Sequence, residues 1–393
     1  MLSKFEIDNF RVFSHLKIPR LGRVNLVIGA NNVGKTMLLE ALRLYASGGH
    51  PSVIYKLLAE RNEFYHKVAQ DDSATNQPYP RIESLFFNRE LREGDEGAIL
   101  LRACGNDPRA IGIHVEAYQH TYETPPDNAD SDGKRVEQIR SCGPSFKEAD
   151  FVVVSVIRET GESFVFPTNH MDRYSESRPH SSRLPEPPYV PATGTDTQEL
   201  ARQWDAVALR DEEQRVMDCL RIVEPIEKIS VVADPTNGGR RIFMIRMPNV
   251  PEPVPLQSLG DGMIHMLQIA LALETARNNR KDGNPEKTLF DDNPVASSPL
   301  PMLLIDEVEN GIYHKILPKL WNFIIEGAKR FDVQVFATTH SFDCVRAFQA
   351  AAAADPESEG VVMRLEKHGD HNKVVLYDEE EMSTAVEQGI EVR

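Results

Sequence analysis

The sequence predicts an α/β fold with a mixed or parallel core sheet, joined by an antiparallel β subdomain and a helical insertion. Three observations carry this. A glycine-rich loop, GANNVGKT (29–36), lies between the apolar strand VNLVI (24–28) and the apolar helix MLLEALRLY. A second apolar strand, PMLLI (301–305), ends in two acids, Asp306 and Glu307. Around and beyond it the pattern alternates helix with strand, as a parallel sheet requires.

Taken in order, 2–8 and 16–20 alternate apolar with polar residues and predict a hairpin about Asn9–Ser14. Segments 82–87, 98–103, 111–118, 151–157 and 163–166 read as further strands between Gly, Pro and Asp turns, with 119–150 a loop-rich insertion. The proline-rich stretch 167–194 reads as a long surface loop or partly ordered arm. Apolar residues at helical spacing over 196–223 predict one long helix or two shorter ones. Strands 229–233 and 241–247 flank DPTNGG, where Asn237 and Gly238 would accept the positive φ of a hairpin turn. A helix over 262–278, strand 301–305, a helix near 315–330, strand 333–337 and a helix from about 341 complete the pattern. The expected organisation is an N-terminal lobe (1–118), a β/helical insertion (119–255) and a C-terminal lobe (256–393).

Composition narrows the function classes. With 393 residues, 41% hydrophobic and 26% charged, the chain suits a soluble multi-lobed protein rather than a disordered or fibrous one. The start lacks a signal-peptide core and no apolar run approaches a membrane span, so a cytoplasmic protein with no membrane partner is expected. Cys104, Cys142, Cys219 and Cys344 are widely spaced, without a CxxC pair, and read as reduced thiols. The net charge of −16 repels nucleic acid overall, so any DNA contact requires a local basic patch.

The chemistry-bearing residues fall in four groups. In GANNVGKT the glycines let backbone N–H groups curl around phosphate oxygens, Lys35 reaches the β and γ phosphates, and Thr36 offers a hydroxyl to Mg²⁺. Asp306 and Glu307 emerge at the carboxyl edge of a buried strand, where an α/β nucleotide site would lie; Asp306 suits the Mg²⁺ shell and Glu307 can polarise water. The strand VQVFA ends at Thr338, Thr339, His340 and Ser341, one helix later, which puts His340 at the same edge. Ser258, Gly260 and Gly262 precede an apolar helix and form a second anion-binding end, although an ordinary capped helix gives the same pattern. Weaker features are Arg240, Arg241 and Arg246 on the hairpin, His368 with His371, and the acidic run 378–381, all of which read more simply as surface.

The FxIxNFR strand, GxNxxGKTxLLEAL, SLGDG, LLIDExExG and TTHS, in that order, resemble the ABC-type ATPase heads of the RecF, SMC and OLD group, and most closely single-chain AAA family ATPases of prokaryotic defence systems. The motifs span 1–46 and 255–345. The resemblance implies that Gly29, Ala30, Asn31, Asn32, Gly34, Lys35 and Thr36 hold ATP, that Thr36 and Asp306 support Mg²⁺, and that Glu307 and His340 are catalytic, His340 as the switch histidine. It implies that Ser258, Gly260 and Gly262 form the signature that touches nucleotide on the opposite subunit, and that Arg11 lies near the nucleotide. ATP would then close a homodimer, or a higher oligomer, and a separately encoded effector, a nuclease or toxin, would be the partner. Departures matter too. The stretch between Lys35 and Ser258 is too short and irregular for a long coiled coil. No Q-loop glutamine is placed, Gln70 and Gln77 lying in a polar loop. The stretch after TTHS leaves no room for a TOPRIM nuclease. An ATP-driven switch is the leading expectation; a RecF-like DNA-binding ATPase is the alternative, and neither a transporter subunit nor a GTPase lacking NKxD fits as well.

Overall fold

A computed structural model of the chain describes residues 1–66, 78–92, 94–104, 110–123, 136–141, 151–158, 163–168, 186–234, 236, 238–281, 301–369, 371–377 and 381. The chain opens with β1 (Lys4–Phe10) and β2 (Phe13–Ile18), the expected hairpin, closed by a tight turn at Arg11 and Val12. Then come β3 (Val24–Ile28), α1 (Lys35–Ala46), α2 (Pro51–Glu60), and the short pair β4 (Phe64–His66) and β5 (Pro78–Pro80). Strands β6 (Ile99–Cys104), β7 (Ala110–Glu123), β8 (Val136–Ser141), β9 (Phe151–Arg158) and β10 (Ser163–Pro167) follow. Next are β11 (Tyr189–Val190), α3 (Thr197–Val207), α4 (Asp211–Leu220), β12 (Lys228–Ala233), β13 (Arg241–Arg246) and β14 (Val254–Pro255). The rest comprises α5 (Asp261–Lys281), β15 (Met302–Ile305), α6 (Leu317–Phe331), β16 (Gln334–Thr338), α7 (Phe342–Ala354), β17 (Gly360–His368) and β18 (His371–Tyr377).

Two main sheets organise these elements. The core sheet has the order β11-β15-β16-β3-β17-β18 and is parallel except for β18. The second, antiparallel, has the order β10-β9-β7-β6-β1-β2, with β8 on β7. Strands β9 and β10, from the segment assigned to the insertion, hydrogen-bond into the same sheet as β1.

Alternate residues of the core strands feed two apolar layers. Leu303 and Ile305 of β15, with Val335 and Ala337 of β16, pack with α3 to α7. Met302, Leu304 and Phe336 point the other way, onto α1, α2 and the antiparallel sheet. Helix α6 shows why it forms: Leu317, Leu320, Trp321, Ile324, Ile325 and Ala328 recur at helical spacing and are all buried. The polar Asn25 survives in the middle of β3 because its amide binds Gly22 O and Val335 O while Oδ1 accepts from Gly22 N.

Several expectations need correction. Residues 82–87 are not a strand but two 3₁₀ turns, Ile82–Leu85 and Phe87–Arg89, joined to the sheet by a Phe10–Phe86 bridge. Ile82, Leu85 and Phe86 are buried together at helical spacing, so the apolar run satisfies its backbone locally. Part of 119–150 is a ladder, since β7 runs to Glu123 and pairs with β8. Within 196–223 two helices form, because Leu209 turns the chain at φ 62°. In the β12–β13 hairpin the described positive-φ glycine is Gly239, at 90°, not Gly238; Asn237 lies outside the described residues. So do Gln70, Gln77, Cys142 and most of the acidic run 378–381. Among the described residues no helix is long and apolar enough to cross a membrane.

Candidate active site

The glycine-rich loop joins β3 to α1 at the carboxyl edge of the core sheet. Its curl depends on two glycines with positive φ. Gly29 is at 144°, and a Cβ there would stand 2.6 Å from Leu365 O of β17; Gly34 is at 105°, and a Cβ would stand 2.8 Å from the Phe13 ring. Asn32 also takes a positive φ, 63°, which asparagine tolerates well. Ala30, Asn31 and Asn32 are exposed along the loop, whereas Lys35 and Thr36 are half-buried at the start of α1. The Lys35 ammonium donates to Gly29 O at 2.7 Å and Ala30 O at 3.0 Å. Burial lowers its pKa, and the charges of Asp306, Glu307 and Glu309 oppose that shift.

Asp306 is 6% exposed, and both of its oxygens are engaged by hydroxyls. Thr36 donates to Oδ2 at 2.9 Å and Thr338 donates to Oδ1 at 2.6 Å. Thr338 Oγ1 in turn accepts the Glu307 N–H at 2.8 Å, so the end of β16 braces the end of β15. On the other flank β11 supplies Val190 O, which accepts the Asp306 N–H at 2.8 Å. Glu307 has a φ of 51°, a left-handed conformation costly for a glutamate and of the kind stored at functional sites. Its side chain is 39% exposed and lies 3.5 Å from His340 Nδ1.

Glu309 enters the same cluster. Its Oε1 accepts the His340 N–H at 3.1 Å and stands 3.5 Å from His340 Nδ1. Behind it, His265 of α5 is 4% exposed; burial pushes it below the usual histidine range, against contacts with Gln268 and the carbonyls of Val308 and Glu307.

The Ser258–Gly262 segment forms the entry to α5. Ser258 and Gly260 are exposed, with Gly260 at φ 90°. Gly262 is pressed against the turn that follows Glu309: a Cβ on it would lie 2.2 Å from Gly311 O. No contact between Ser258 and the glycine-rich loop is seen within the described residues of one chain.

Arg11 is not open to the loop's mouth. Its side chain is 3% exposed and bridges Glu40 of α1 at 2.9 Å and Glu63 at 2.6 Å. The turn it belongs to nonetheless meets the loop, because Val12 and Phe13 are what a Cβ on Gly34 would strike. Arg241 pairs with Asp205, His368 with Glu366 and His371 with Ser14, so the last two histidines face different partners.

The sequence reading assigns no role to Glu309, Thr338 or Val190. Glu309 stands two positions after Glu307, and that spacing was the available signal. Thr338 is legible only once β16 is known to lie beside β15, and Val190 carries no side-chain signal at all.

The donors suit a magnesium nucleotide. A glycine cradle that excludes Cβ atoms, an ammonium held over it and a hydroxyl beside a buried carboxylate provide phosphate contacts and hard oxygen ligands. Comparison with known proteins bears on the family. The family model described as an AAA ATPase domain matches residues 1–160. The one described as an AAA domain, putative AbiEii toxin, Type IV TA system, matches 170–343. An uncharacterized protein of Methanocaldococcus jannaschii is 39% identical over 96 residues, 23% of this chain and 44% of that protein. The DNA replication and repair protein RecF of Heliobacterium modesticaldum is 30% identical over 93 residues, 23% of this chain and 24% of RecF. The chain thus spans less than half the length of either. Among solved structures, an SMC head bound to the C-winged helix domain of ScpA aligns with TM-score 0.47 and 13% identity, covering 98% of this chain and 99% of that one. The SMC head domain from Thermotoga maritima aligns with TM-score 0.43 and 12% identity, covering 96% and 99%. Two AAA models together match residues 1–160 and 170–343, and RecF is among the relatives; these likenesses support an ATPase similar to the AAA-family, RecF-like kind.

Proposed function

We propose that the chain is an ATP-binding and ATP-hydrolysing switch: ATP closes two copies head to head, hydrolysis reopens them, and the change of state controls a separately encoded effector in anti-phage defence. The observation that carries the ATPase core of this reading is the hydroxyl–carboxylate–hydroxyl chain Thr36–Asp306–Thr338, which ties the phosphate loop to the acidic strand. The family description that mentions a putative AbiEii toxin supports the defence setting.

In this reading the backbone of Gly29, Ala30, Asn31, Asn32 and Gly34 and the Lys35 ammonium bind the phosphates. Thr36 and Asp306 are the residues that would hold Mg²⁺, which when bound neutralises phosphate charge. Glu307 orients the attacking water, and His340 beside it contributes a hydrogen bond where charge develops. Ser258 and Gly260, exposed at the head of α5, and the half-buried Gly262 beside them serve the nucleotide of the other copy.

The test is the mass of Glu307→Gln protein by light scattering with ATP and Mg²⁺. A shift from monomer to dimer, absent in Lys35→Ala and in Ser258→Arg, supports the switch. If Glu307→Gln hydrolysed ATP like the wild type, the catalytic assignment would be wrong. A second reading, a RecF-like ATPase that binds DNA, is favoured by the RecF relative. Retention of duplex DNA by the ATP-bound dimer, weakening steeply with salt, would select it.

A further inference from the structure

Glu309 is more deeply buried than Glu307: its side chain is 11% exposed against 39%. One of its oxygens accepts the His340 main-chain N–H, and the other is buried without a hydrogen-bond partner. A half-satisfied buried carboxylate is costly, and its retention calls for an explanation. Both acids stand 3.5 Å from the same His340 Nδ1, yet a neutral imidazole nitrogen carries only one hydrogen. Two turns aim Glu309 inward: Asn310 N donates to Glu307 O at 2.9 Å, and Ile312 N donates to Glu309 O at 2.9 Å. Across from it, on the helix that begins at the signature, stands the buried His265, whose ring lies by the Val308 and Glu307 carbonyls and feels the Glu309 charge.

We propose that Glu309 is a positioning residue for His340, an inference that rests on the ATPase reading above. By holding the His340 main chain, Glu309 fixes the imidazole independently of Glu307. Glu307 is then free to face water rather than being drawn toward the histidine. Glu309 makes no hydrogen bond to the phosphate loop; it acts on the reaction by positioning His340, with its charge also felt at Lys35.

Steady-state ATP hydrolysis tests this with Glu309→Ala, Glu309→Gln, His340→Ala and the Glu309→Ala/His340→Ala double variant. Glu309→Ala should lower kcat by about 100-fold, the usual cost of a misplacement near 1 Å, with KM for ATP little changed. Glu309→Gln keeps an acceptor for the His340 N–H and should recover most of the rate. The double variant should be no slower than His340→Ala alone; additive losses would overturn the proposal. Hydrogen exchange gives a readout that needs no hydrolysis: in nucleotide-free protein, the amide of His340 should exchange faster in Glu309→Ala and at the wild-type rate in Glu307→Gln. Equal exchange in wild type and Glu309→Ala would sink the positioning role. If that exchange difference is seen while wild-type protein hydrolyses no ATP, the ATPase reading fails and the positioning geometry stands.

Discussion

Thr36 and Asp306, 270 positions apart in the chain, are joined by a 2.9 Å hydrogen bond between a hydroxyl in the first turn of α1 and the carboxylate that ends β15. The second oxygen of Asp306 is taken by Thr338, whose hydroxyl also accepts the Glu307 N–H. One threonine on a neighbouring strand therefore sets both acids. Thr338→Val keeps the shape and removes the oxygen, leaving a buried carboxylate oxygen and a main-chain N–H unpaired. The expected loss is about 1–3 kcal/mol in urea denaturation, with reduced ATP turnover; an unchanged midpoint would contradict it.

The contact of Gly262 with Gly311 predicts a different phenotype. A methyl on Gly262 meets main-chain oxygen at 2.2 Å, and neither backbone can swing aside as a side chain would. Gly262→Ala should cost about 1–3 kcal/mol, and it should abolish the ATP-dependent dimer of Glu307→Gln while ATP still binds. Gly238→Ala is the matched control, because nothing lies within 4 Å of its Cβ position; its thermal midpoint should stay at the wild-type value.

His50 caps α2, its Nδ1 accepting the Ser52 N–H, and sits edge-on to the Phe164 ring. Burial, reinforced by the Arg158 charge, pushes its pKa down to about 4. The folded state thus favours neutral His50. Its contribution is complete above about pH 6.5, the unfolded value, and is lost as the pH falls toward 4, amounting to no more than about 3 kcal/mol. His50→Asn retains a capping oxygen without titrating, so its denaturation free energy should fall less steeply across that window. Parallel acid limbs for the two proteins would refute the assignment.

Arg11 separates a structural from a functional role. Its guanidinium is buried between Glu40 and Glu63, and removing it takes the nearer cation from each, although Glu40 keeps Arg61 at 2.6 Å. Arg11→Ala should destabilise the fold by about 2–3 kcal/mol, read by chemical denaturation. A variant of wild-type stability with weakened ATP binding would instead support the place beside the nucleotide that the family resemblance implies.

Much of this architecture was legible because apolar periodicity and loop chemistry agree. VNLVI, all buried, is followed by a glycine-rich turn and the buried helix α1, and PMLLI ends where its acids begin. What the sequence hid was pairing between distant segments. Strand β17 lies parallel to β3, and two-residue β11 completes the edge beside Asp306, yet neither partner is named by local pattern. Residues 82–87 misled because a short apolar run fits a buried strand and a packed helical turn equally well. Glu309 shows the same limit at the site. Its spacing from Glu307 is visible, but its hold on His340 exists only because β16 returns beside β15.

Strand β3 lies between β16 and β17, and both pairings are parallel. Its two neighbours are made only after more than three hundred further residues. At roughly 5–20 residues per second of synthesis, Val24–Ile28 waits some tens of seconds, an apolar segment with both edges open. Such long-range parallel pairing slows folding and exposes the nascent chain to misassembly. The strand that delivers the phosphate loop is therefore the one whose surroundings assemble late, and a ribosome-bound N-terminal half should be rich in chaperone-binding surface before it has any capacity to hold nucleotide.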